Sequence, residues 1–339
     1  MTKKILLITG GTGGHVIPAQ NLANFLINKK INCSLMIDKR GSKYINSFEG
    51  KINIINSSNL NGNLLNKLLG IIHLFLGFIK SFFIIILLKP DIVISFGSYA
   101  SFFPMLSCVL LKPFYNIAIF IHEQNSILGK TNKFFIHFTN KIFLNFDILS
   151  KINKKFQNKT YVVGSPENNL KYNNSIKNKY IDKYFTIFIF GGSQGSEYVS
   201  NFSLNLIKII DNESRINTKF IMQCPKNMID KIKQNTKNIK SQIIIKDFFH
   251  NIDEILSNSS IVISRAGAGS ITDLIKHEIP SILIPLPTSK DNHQFYNATI
   301  MAKYELAIII DQKRNETNKA KNYIYEIYNN ARNVKIYEN

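Results

Sequence analysis

Three glycine-rich segments carry the clearest chemical signal in this chain. They read Gly-Gly-Thr-Gly-Gly-His from residue 10, Gly-Gly-Ser-Gln-Gly from residue 191 and Arg-Ala-Gly-Ala-Gly-Ser from residue 265. Glycine permits positive φ angles and lets a ligand approach the backbone closely. A helix that begins just after such a turn presents unpaired N–H groups and a partial positive charge to an anion. The three segments together therefore predict phosphate binding.

Several other nucleotide and metal motifs are missing from the sequence. No glycine turn continues into Gly-Lys-Ser or Gly-Lys-Thr, which argues against a P-loop. The first turn does not match Gly-x-Gly-x-x-Gly, and we expect no acidic residue at the ribose position, so a dehydrogenase is disfavoured. No two aspartates are separated by one residue, and the three cysteines lack metal-ligand spacing. The sequence therefore predicts no metal and no cofactor, with main-chain N–H groups stabilising a leaving diphosphate.

The second turn also fits Gly-x-Ser-x-Gly, the nucleophile elbow of α/β-hydrolases. Asp273 and His293 follow Ser193 in the order that a catalytic triad requires. The first turn, however, has the same pattern with Thr12 in place of the serine. A repeated phosphate cradle explains both turns and a nucleophile explains one, so the hydrolase is the weaker alternative.

Short apolar runs alternate with longer helical stretches, which is typical of a parallel sheet with crossover helices. The candidate strands are Ile5–Thr9, Cys33–Ile37, Ile92–Phe96, Ile117–Ile121 and Lys141–Leu144, then Thr186–Phe190, Lys219–Gln223, Ile243–Lys246, Ile261–Ser264 and Ser281–Ile284. Each half opens with a strand, a Gly-Gly turn and a helix. The sequence therefore predicts an α/β fold in which two Rossmann-like domains with parallel sheets face a cleft.

The composition changes near residues 163–183, which is the best domain boundary. We expect an N-terminal domain over residues 1–163 and a C-terminal domain over residues 164–316. A C-terminal helix over residues 317–339 could pack back on the N-terminal domain.

The charge of the chain is strongly positive, with 42 Lys and Arg against 22 Asp and Glu, a net charge of +20. Such a charge favours a polyanionic partner, such as nucleic acid, an anionic membrane or a phosphorylated substrate. Lys, Asn and Ile are frequent throughout the chain, as in proteins from AT-rich genomes. Mutational drift in composition therefore explains part of the positive charge. Nucleic acid is disfavoured because no aromatic stacking platform lies among the basic residues. The absence of a disulfide framework predicts a cytoplasmic protein.

The apolar segment Leu64–Leu88 has three interpretations. A polar stripe runs along it at helical spacing, formed by Asn66, Gly70, His73, Gly77 and Lys80. The segment is a fully buried helix, a helix that also dips an apolar edge into a bilayer, or a true membrane span. A span would place strands of one sheet on opposite sides of a membrane, which makes it the least favoured.

Five motifs in a fixed order resemble the MurG family, which are GT-B glycosyltransferases of family 28. Three of the motifs are the glycine segments, the third of which is preceded by Ser264. The fourth is His-Glu-Gln-Asn from residue 122, and the fifth is Asp-Asn-His-Gln from residue 291, followed by Asn-Ala from residue 297. The resemblance covers residues 5 to about 312. It implies an inverting transfer of N-acetylglucosamine from UDP-N-acetylglucosamine to undecaprenyl-diphosphate-MurNAc-pentapeptide (lipid I). The product would be lipid II for peptidoglycan biosynthesis, made at the cytoplasmic face of the inner membrane.

The resemblance also assigns roles to single residues. It implies that the N-terminal domain binds the acceptor and the membrane, and that the C-terminal domain binds the UDP-sugar donor. Thr12, Gly13 and Gly14 would lie near the diphosphates, Asn125 would contact the nucleotide sugar, Ser193 would bind a donor phosphate, and the backbone of Phe249 would pair with uracil. Ala268, Gly269, Ser270, Ile271 and Thr272 would start the helix that holds the α-phosphate, Asp273 would contact the ribose, and Gln294 the sugar hydroxyls.

His15 is the candidate general base in this resemblance. A neutral imidazole could take the proton from the acceptor hydroxyl as it attacks the anomeric carbon. The alternative is that His15 only packs against the glycine turn. Structural roles likewise remain open for His122 and Glu123, and for Gln294 and Asn297.

Three positions depart from the family pattern. Asn168 stands where the family has a donor-binding arginine, Asp273 replaces a glutamate, and Gly97-Ser98-Tyr99 replaces Gly-Gly-Tyr. The loss of a charged contact costs about 1.5–3 kcal/mol of donor binding if nothing compensates. Asn168 and Asp273 make a non-catalytic nucleotide- or lipid-binding relative one alternative. A related transferase acting on a diacylglycerol lipid is the other.

Overall fold

Two parallel β-sheets organise the chain in a computed structural model, which describes residues 3–57, 63–166, 184–192, 195–314 and 316–337. The chain divides into two compact units, Met1–Leu170 and Lys171–Asn339. The prediction of two parallel-sheet α/β domains is confirmed.

The first unit contains a seven-stranded sheet in the order β3-β2-β1-β4-β5-β6-β7, and all neighbouring strands are parallel. Its strands are β1 (Lys4–Thr9), β2 (Asn32–Asp38), β3 (Lys51–Ile55), β4 (Ile92–Ser95), β5 (Ala118–Glu123), β6 (Lys141–Leu144) and β7 (Thr160–Val162), and its α-helices are α1 (Gly13–Asn28), α2 (Leu64–Leu88), α3 (Phe102–Leu111), α4 (Lys130–Phe135) and α5 (Lys154–Gln157). Leu6, Leu7 and Ile8 of β1 are fully buried, as expected for a strand covered on both faces.

The second unit contains a six-stranded parallel sheet in the order β10-β9-β8-β11-β12-β13. Its strands are β8 (Phe185–Phe190), β9 (Thr218–Gln223), β10 (Gln242–Lys246), β11 (Ile261–Ser264), β12 (Ser281–Leu283) and β13 (Ala307–Ile309), and its α-helices are α6 (Glu197–Glu213), α7 (Ile229–Asn235), α8 (Ile252–Ser257), α9 (Ala268–Lys276), α10 (His293–Lys303) and α11 (Thr317–Tyr337). Every residue of β8 is buried.

The two sheets follow the same strand order, and each has one point at which that order reverses. The reversal lies between β1 and β4 in the first sheet and between β8 and β11 in the second. Ligands of open α/β sheets bind at the carboxyl ends of the strands at such a switch point. The three glycine segments follow β1, β8 and β11. All three turns therefore lie at the two switch points.

Helix α11 packs on the second unit. Ala320 and Ile324 are fully buried in its core. Lys321 Nζ and Tyr325 Oη contact the two carboxylate oxygens of Glu213 on α6, at 2.9 and 2.8 Å. That the helix also returns to the N-terminal domain stays a prediction, as do the predicted domain limits.

Helix α2 turns its small residues inward and many of its large apolar residues outward. Gly70 and Gly77 are buried, and a Cβ on Gly77 would lie 2.2 Å from the carbonyl oxygen of Asn56. Phe75, Phe83 and Leu87 are instead 59%, 60% and 80% exposed. The interpretation of α2 as a fully buried helix is therefore wrong. Among the described helices, none has the length and apolarity needed to cross a membrane.

Candidate active site

The first glycine turn links β1 to α1 and leaves part of its backbone open. Gly11 has a φ of 81°, which glycine adopts without strain. Gly13 is buried, and a Cβ there would lie 3.3 Å from the ring of Tyr44. Thr12 and Gly14 are exposed, and a Cβ on Gly14 would meet only Thr12 Oγ1, at 3.9 Å. Thr12 and Gly14 are thus the parts of this turn that a ligand can reach.

A buried carboxylate at the end of β2 holds the turn in place. Asp38 accepts hydrogen bonds from the N–H groups of Gly11 and Gly41 at 2.8 and 3.0 Å. Ser57 Oγ and Arg40 Nε donate to its other oxygen at 2.8 and 3.0 Å. Burial alone would raise the pKa of this carboxyl, but these hydrogen bonds bring the pKa below its usual value.

Asp38 corrects one sequence-based expectation. We expected no acidic residue at the position where Rossmann enzymes bind a ribose, yet Asp38 ends the second strand. Its side chain is fully buried and already receives four hydrogen bonds. The carboxylate therefore serves the turn and leaves no room for a ribose. A sequence signal existed, since an acidic residue ends an apolar strand.

His15 is held by a main-chain acceptor on the neighbouring strand connection. Its Nδ1 lies 2.9 Å from the carbonyl oxygen of Phe96, just after β4. A carbonyl can only accept, so in the neutral ring Nδ1 carries the proton and Nε2 keeps its lone pair. This is the tautomer that a general base at Nε2 requires.

His122 and Glu123 shape the loop that carries Asn125. The ring of His122 stacks on Phe96 with centroids 5.2 Å apart, and Nε2 lies 2.9 Å from the carbonyl oxygen of Gly164. Burial lowers the pKa of His122 to about 4, although its hydrogen bonds with Gly164 and Gln124 oppose that shift. The ring is therefore neutral near pH 7. These contacts favour its structural interpretation.

The carboxylate of Glu123 is 1% exposed and organises the same loop. Its Oε1 accepts from the backbone N–H and the amide of Asn125, at 3.0 and 3.3 Å. Its Oε2 accepts from Gly129 N–H and Asn132 Nδ2, at 2.8 and 2.9 Å. Asn125 is thereby held in one orientation, while its contact with a nucleotide sugar stays a prediction.

The second glycine turn precedes α6, and its first residue, Gly191, lies against the backbone of Ser196. A Cβ on Gly191 would lie 2.2 Å from Ser196 N, so only glycine fits there. Gly192 and Gly195 have φ angles of 81° and 71°. Ser196 caps α6, since its Oγ accepts from Val199 N–H at 3.3 Å. The predicted phosphate ligand Ser193 lies outside the described residues, as does Asn168.

The third turn starts α9, whose first residues form the predicted α-phosphate site. Gly267 precedes the helix, and no atom lies within 4 Å of a Cβ built on Gly269. The N–H of Ile271 bonds to Gly267 O at 2.9 Å, and Thr272 Oγ1 donates to Ala268 O at 2.9 Å. The preceding N–H groups, up to Ser270, have no partner within the helix because they belong to its first turn. Asp273, the predicted ribose contact, is half-buried on the second turn of α9.

Helix α10 braces the third turn. Asn297 is fully buried and donates from Nδ2 to the carbonyl oxygen of Ala266 at 3.1 Å, which supports its structural interpretation. Gln294 Oε1 accepts from Leu286 N–H at 3.0 Å. That bond orients the side chain, while the contact of its amide with a sugar hydroxyl stays a prediction.

Phe249 can serve a nucleotide only through its backbone. Its ring is 5% exposed and packs edge-to-face on Phe188, with centroids 6.0 Å apart. This placement agrees with the expectation that main-chain atoms of Phe249, rather than its side chain, meet the base.

Two groups of predicted residues are brought together, one in each unit. Phe96 joins His15 to the loop of His122 in the first unit. In the second unit Arg265 Nε donates to Ser196 Oγ at 3.2 Å, which joins the second and third turns. Arg265 belongs to one of the glycine motifs, but the motif predicts no role for its side chain. The sequence predicts no role for Asp38 either.

Comparisons with known proteins agree with this geometry. The model of the glycosyltransferase family 28 N-terminal domain matches residues 5–144, and that of the family 28 C-terminal domain matches residues 186–338. A UDP-N-acetylglucosamine–N-acetylmuramyl-(pentapeptide) pyrophosphoryl-undecaprenol N-acetylglucosamine transferase of Rickettsia canadensis is 33% identical over 97% of this chain and 92% of its own length. The protein of the same name from Rickettsia bellii is 34% identical over 99% and 93%.

A solved structure shows the same fold. The crystal structure of Acinetobacter baumannii MurG matches with a TM-score of 0.77 at 21% identity, over 98% of this chain and 95% of that one. This likeness supports the two-domain GT-B architecture.

Proposed function

The chain belongs to glycosyltransferase family 28, and from this premise we propose that it transfers N-acetylglucosamine from UDP-N-acetylglucosamine to lipid I, forming lipid II. The rickettsial relatives, whose names state this reaction, match nearly the whole chain at 33% and 34% identity. The structure supports the proposal separately in each unit: the start of α9 is open in the second unit, and the hydrogen bond from His15 Nδ1 to Phe96 O in the first unit selects the tautomer with a lone pair on Nε2. Membership of this family also favours the interpretation of the second glycine turn as a phosphate-binding turn over its interpretation as the nucleophile elbow of a hydrolase.

The donor diphosphate binds at the start of α9 in this proposal. The free N–H groups of Ala268, Gly269 and Ser270 and the helix dipole stabilise its negative charge. That charge grows as the bond to the sugar breaks, so the same groups stabilise the transition state more than the ground state. Gln294 and Asp273 orient the sugar and the ribose.

The acceptor hydroxyl is activated by His15. Its Nε2 removes the proton while the hydroxyl oxygen attacks the anomeric carbon and the bond to the UDP oxygen breaks. UDP leaves with the bonding electrons, and the product inverts its anomeric configuration. The bond from Nδ1 to Phe96 O stabilises the imidazolium that forms.

The same proposal places the protein at the cytoplasmic face of the inner membrane, where lipid I resides. Exposed apolar side chains lie on α2, on α3 and α4, and just after α3 and α4. We call these residues the apolar surface: Ile72, Phe75, Leu76, Phe83, Leu87, Leu110, Phe114, Phe134 and Phe138. Ring contacts join the three helices, with Phe78 on Phe103 at 6.2 Å and Phe102 on Phe134 at 5.2 Å. An exposed apolar area of this extent marks a binding surface.

Basic residues accompany the apolar surface. Residues 64–166 contain eleven lysines and three acidic residues, and one of those acids, Glu123, is buried. Lysines attract anionic lipid headgroups while apolar side chains enter the boundary of the acyl chains. Phosphorylated lipids and substrates are therefore the expected partners, and nucleic acid is not.

An acceptor screen tests the proposal. Purified protein receives UDP-N-acetylglucosamine with either a short-chain lipid I analogue or diacylglycerol, and UDP release and labelled product are measured. We expect product with the lipid I analogue and none with diacylglycerol. Product with diacylglycerol alone would support the related lipid glycosyltransferase, and UDP binding without turnover would support a non-catalytic relative.

A further inference from the structure

We propose that Arg265 supplies a fixed, buried positive charge that the diphosphate of the bound donor neutralises. Arg265 would thus be a positioning residue that makes the site selective for nucleoside diphosphates over nucleosides. The inference rests on the proposed function and deepens it by adding a side-chain charge to the main-chain cradle.

Arg265 is held rigidly in the second unit. The residue is 7% exposed. Its Nη1 donates to the carbonyl oxygens of Ile284 and Pro285, at 3.0 and 3.3 Å, and to Gln312 Oε1 at 2.8 Å. Its Nε donates to Ser196 Oγ. Four bonds to fixed acceptors leave the guanidinium one orientation.

All four acceptors are neutral. Within the described part of the chain, Arg265 forms no ion pair with a carboxylate, and the ring of Tyr198 lies 5.7 Å from its Cζ. Burial lowers the pKa of Arg265, but a guanidinium stays protonated in proteins. A buried cation without a counter-charge is costly, so an anion that binds beside it gains free energy.

The position of Arg265 identifies that anion. Arg265 follows β11 directly and precedes the turn that starts α9. Its partner Ser196 caps the start of α6. The guanidinium therefore contacts the start of α6, while the backbone of Arg265 leads into the start of α9. Each helix start carries a partial positive charge. Its contacts occupy Nε and Nη1, and among the described residues Nη2 has no hydrogen-bond acceptor. A diphosphate is the ligand chemistry that matches this concentration of positive charge.

A purely structural clamp is the competing explanation. Arg265 joins three segments near residues 196, 284 and 312, and its loss could simply loosen the site. A clamp would weaken every ligand of the site alike, whereas a fixed charge would weaken only the phosphate-bearing ones. The ratio of UDP affinity to uridine affinity separates the two explanations.

Calorimetric titration of the full chain with UDP and with uridine provides the test. For Arg265→Gln we expect the dissociation constant for UDP to rise about tenfold or more, while that for uridine changes less than about twofold. Arg215→Gln is the matched control, because that arginine is exposed at the C-terminal end of α6 and pairs with Glu213. It should leave both constants unchanged. Parallel weakening of UDP and uridine by Arg265→Gln, or no change in either, overturns the inference.

Arg265→Lys decides the matter if Arg265→Gln does not fold. Lysine keeps the charge but cannot reproduce the guanidinium fork, so we expect the preference for UDP over uridine to stay within about fivefold of the wild type. Its complete loss would overturn the inference. Wild-type protein that does not bind UDP would instead count against the proposed function, whereas a wild-type preference that survives in Arg265→Gln counts against this inference alone.

Discussion

His15 is the residue on which the proposed chemistry depends. His15→Ala removes the proton acceptor, and we expect kcat to fall about 10²–10⁴-fold, the usual contribution of general-base catalysis. Affinity for UDP should be unchanged because the start of α9 is intact. His250→Ala, a change of an exposed histidine in the other unit, is the control. Steady-state kinetics with retained kcat would remove His15 from the chemistry.

Ser98 occupies a backbone conformation suited to glycine. Its φ and ψ are 77° and 154°, a region that costs a non-glycine residue about 1–3 kcal/mol. We expect Ser98→Gly to raise the free energy of unfolding by about 1 kcal/mol, after the loss of the 3.4 Å bond from Ala100 N–H to Ser98 Oγ. Ser98→Ala keeps the strained backbone and should show no gain in chemical denaturation. Equal stability of both variants would argue against strain.

Asp38 makes the stability of the first unit depend on pH. Its pKa is lowered in the folded protein, so its contribution is complete above its unfolded pKa of about 3.9 and is lost as the pH falls through the folded pKa. We expect Asp38→Asn to reduce the free energy of unfolding by about 1–3 kcal/mol at pH 7. The difference from wild type should shrink below about pH 4. A difference that is constant between pH 7 and pH 3 would contradict this assignment.

At the residue scale, the sequence predicted the type of chemistry better than the partners that position it. The open backbone at Gly14 and Gly269 followed from glycine alone. The hydrogen bonds from Gly11 N–H to Asp38 and from Asn297 to Ala266 join residues 27 and 31 positions apart. Such pairs depend on strand order, which no single motif encodes.

At the scale of elements, helix α2 is the segment whose interpretation the structure changed most. Its polar stripe is compatible with a helix buried all round, with a helix that dips an apolar edge into a bilayer and with a membrane span. Gly77 in that stripe lets α2 approach the backbone of Asn56, which turns Phe75, Leu76 and Phe83 outward. A hydropathy pattern shows that a helix has two faces but does not show which one packs.

The apolar surface should bind anionic membranes. We expect the combined change of Phe75, Leu76 and Phe83 to serine to release the protein from liposomes that contain anionic lipid, because less apolar area can enter the bilayer. Phe78 is left unchanged because its half-buried ring packs on Phe103. Phe25→Ser on α1, which removes an equally exposed ring, is the control. Undiminished sedimentation of the triple variant with liposomes would contradict the proposal.

Strands buried on both faces were easier to predict than strands at the edges of the sheets. All ten predicted strands exist, and their ends differ from the predicted ones by at most two residues. The three that were missed, β3, β7 and β13, each lie at the edge of a sheet. Edge strands are only partly buried, as Lys51, Ile52 and Ile54 show in β3, so their apolar pattern is weak.

At the scale of the whole molecule, the chain uses one plan twice. Both sheets reverse their strand order beside a glycine turn, and the sequence indicated this through the similar openings of its two halves. The net charge of +20 indicates a polyanionic partner. It is a weaker indication, because charge alone does not distinguish a membrane from a phosphorylated substrate. In our proposals, the lysines near the apolar surface serve a membrane and Arg265 serves the donor diphosphate, so each partner accounts for part of that charge.

In the proposed mechanism, main-chain N–H groups and a fixed protein charge, rather than a metal ion, stabilise the departing diphosphate. The most direct measurement is the rate of N-acetylglucosamine transfer to a lipid I analogue in excess EDTA, compared with the rate after Mg²⁺ or Mn²⁺ is restored. We expect equal rates in both conditions. A rate that vanishes in EDTA and returns with the metal would contradict it.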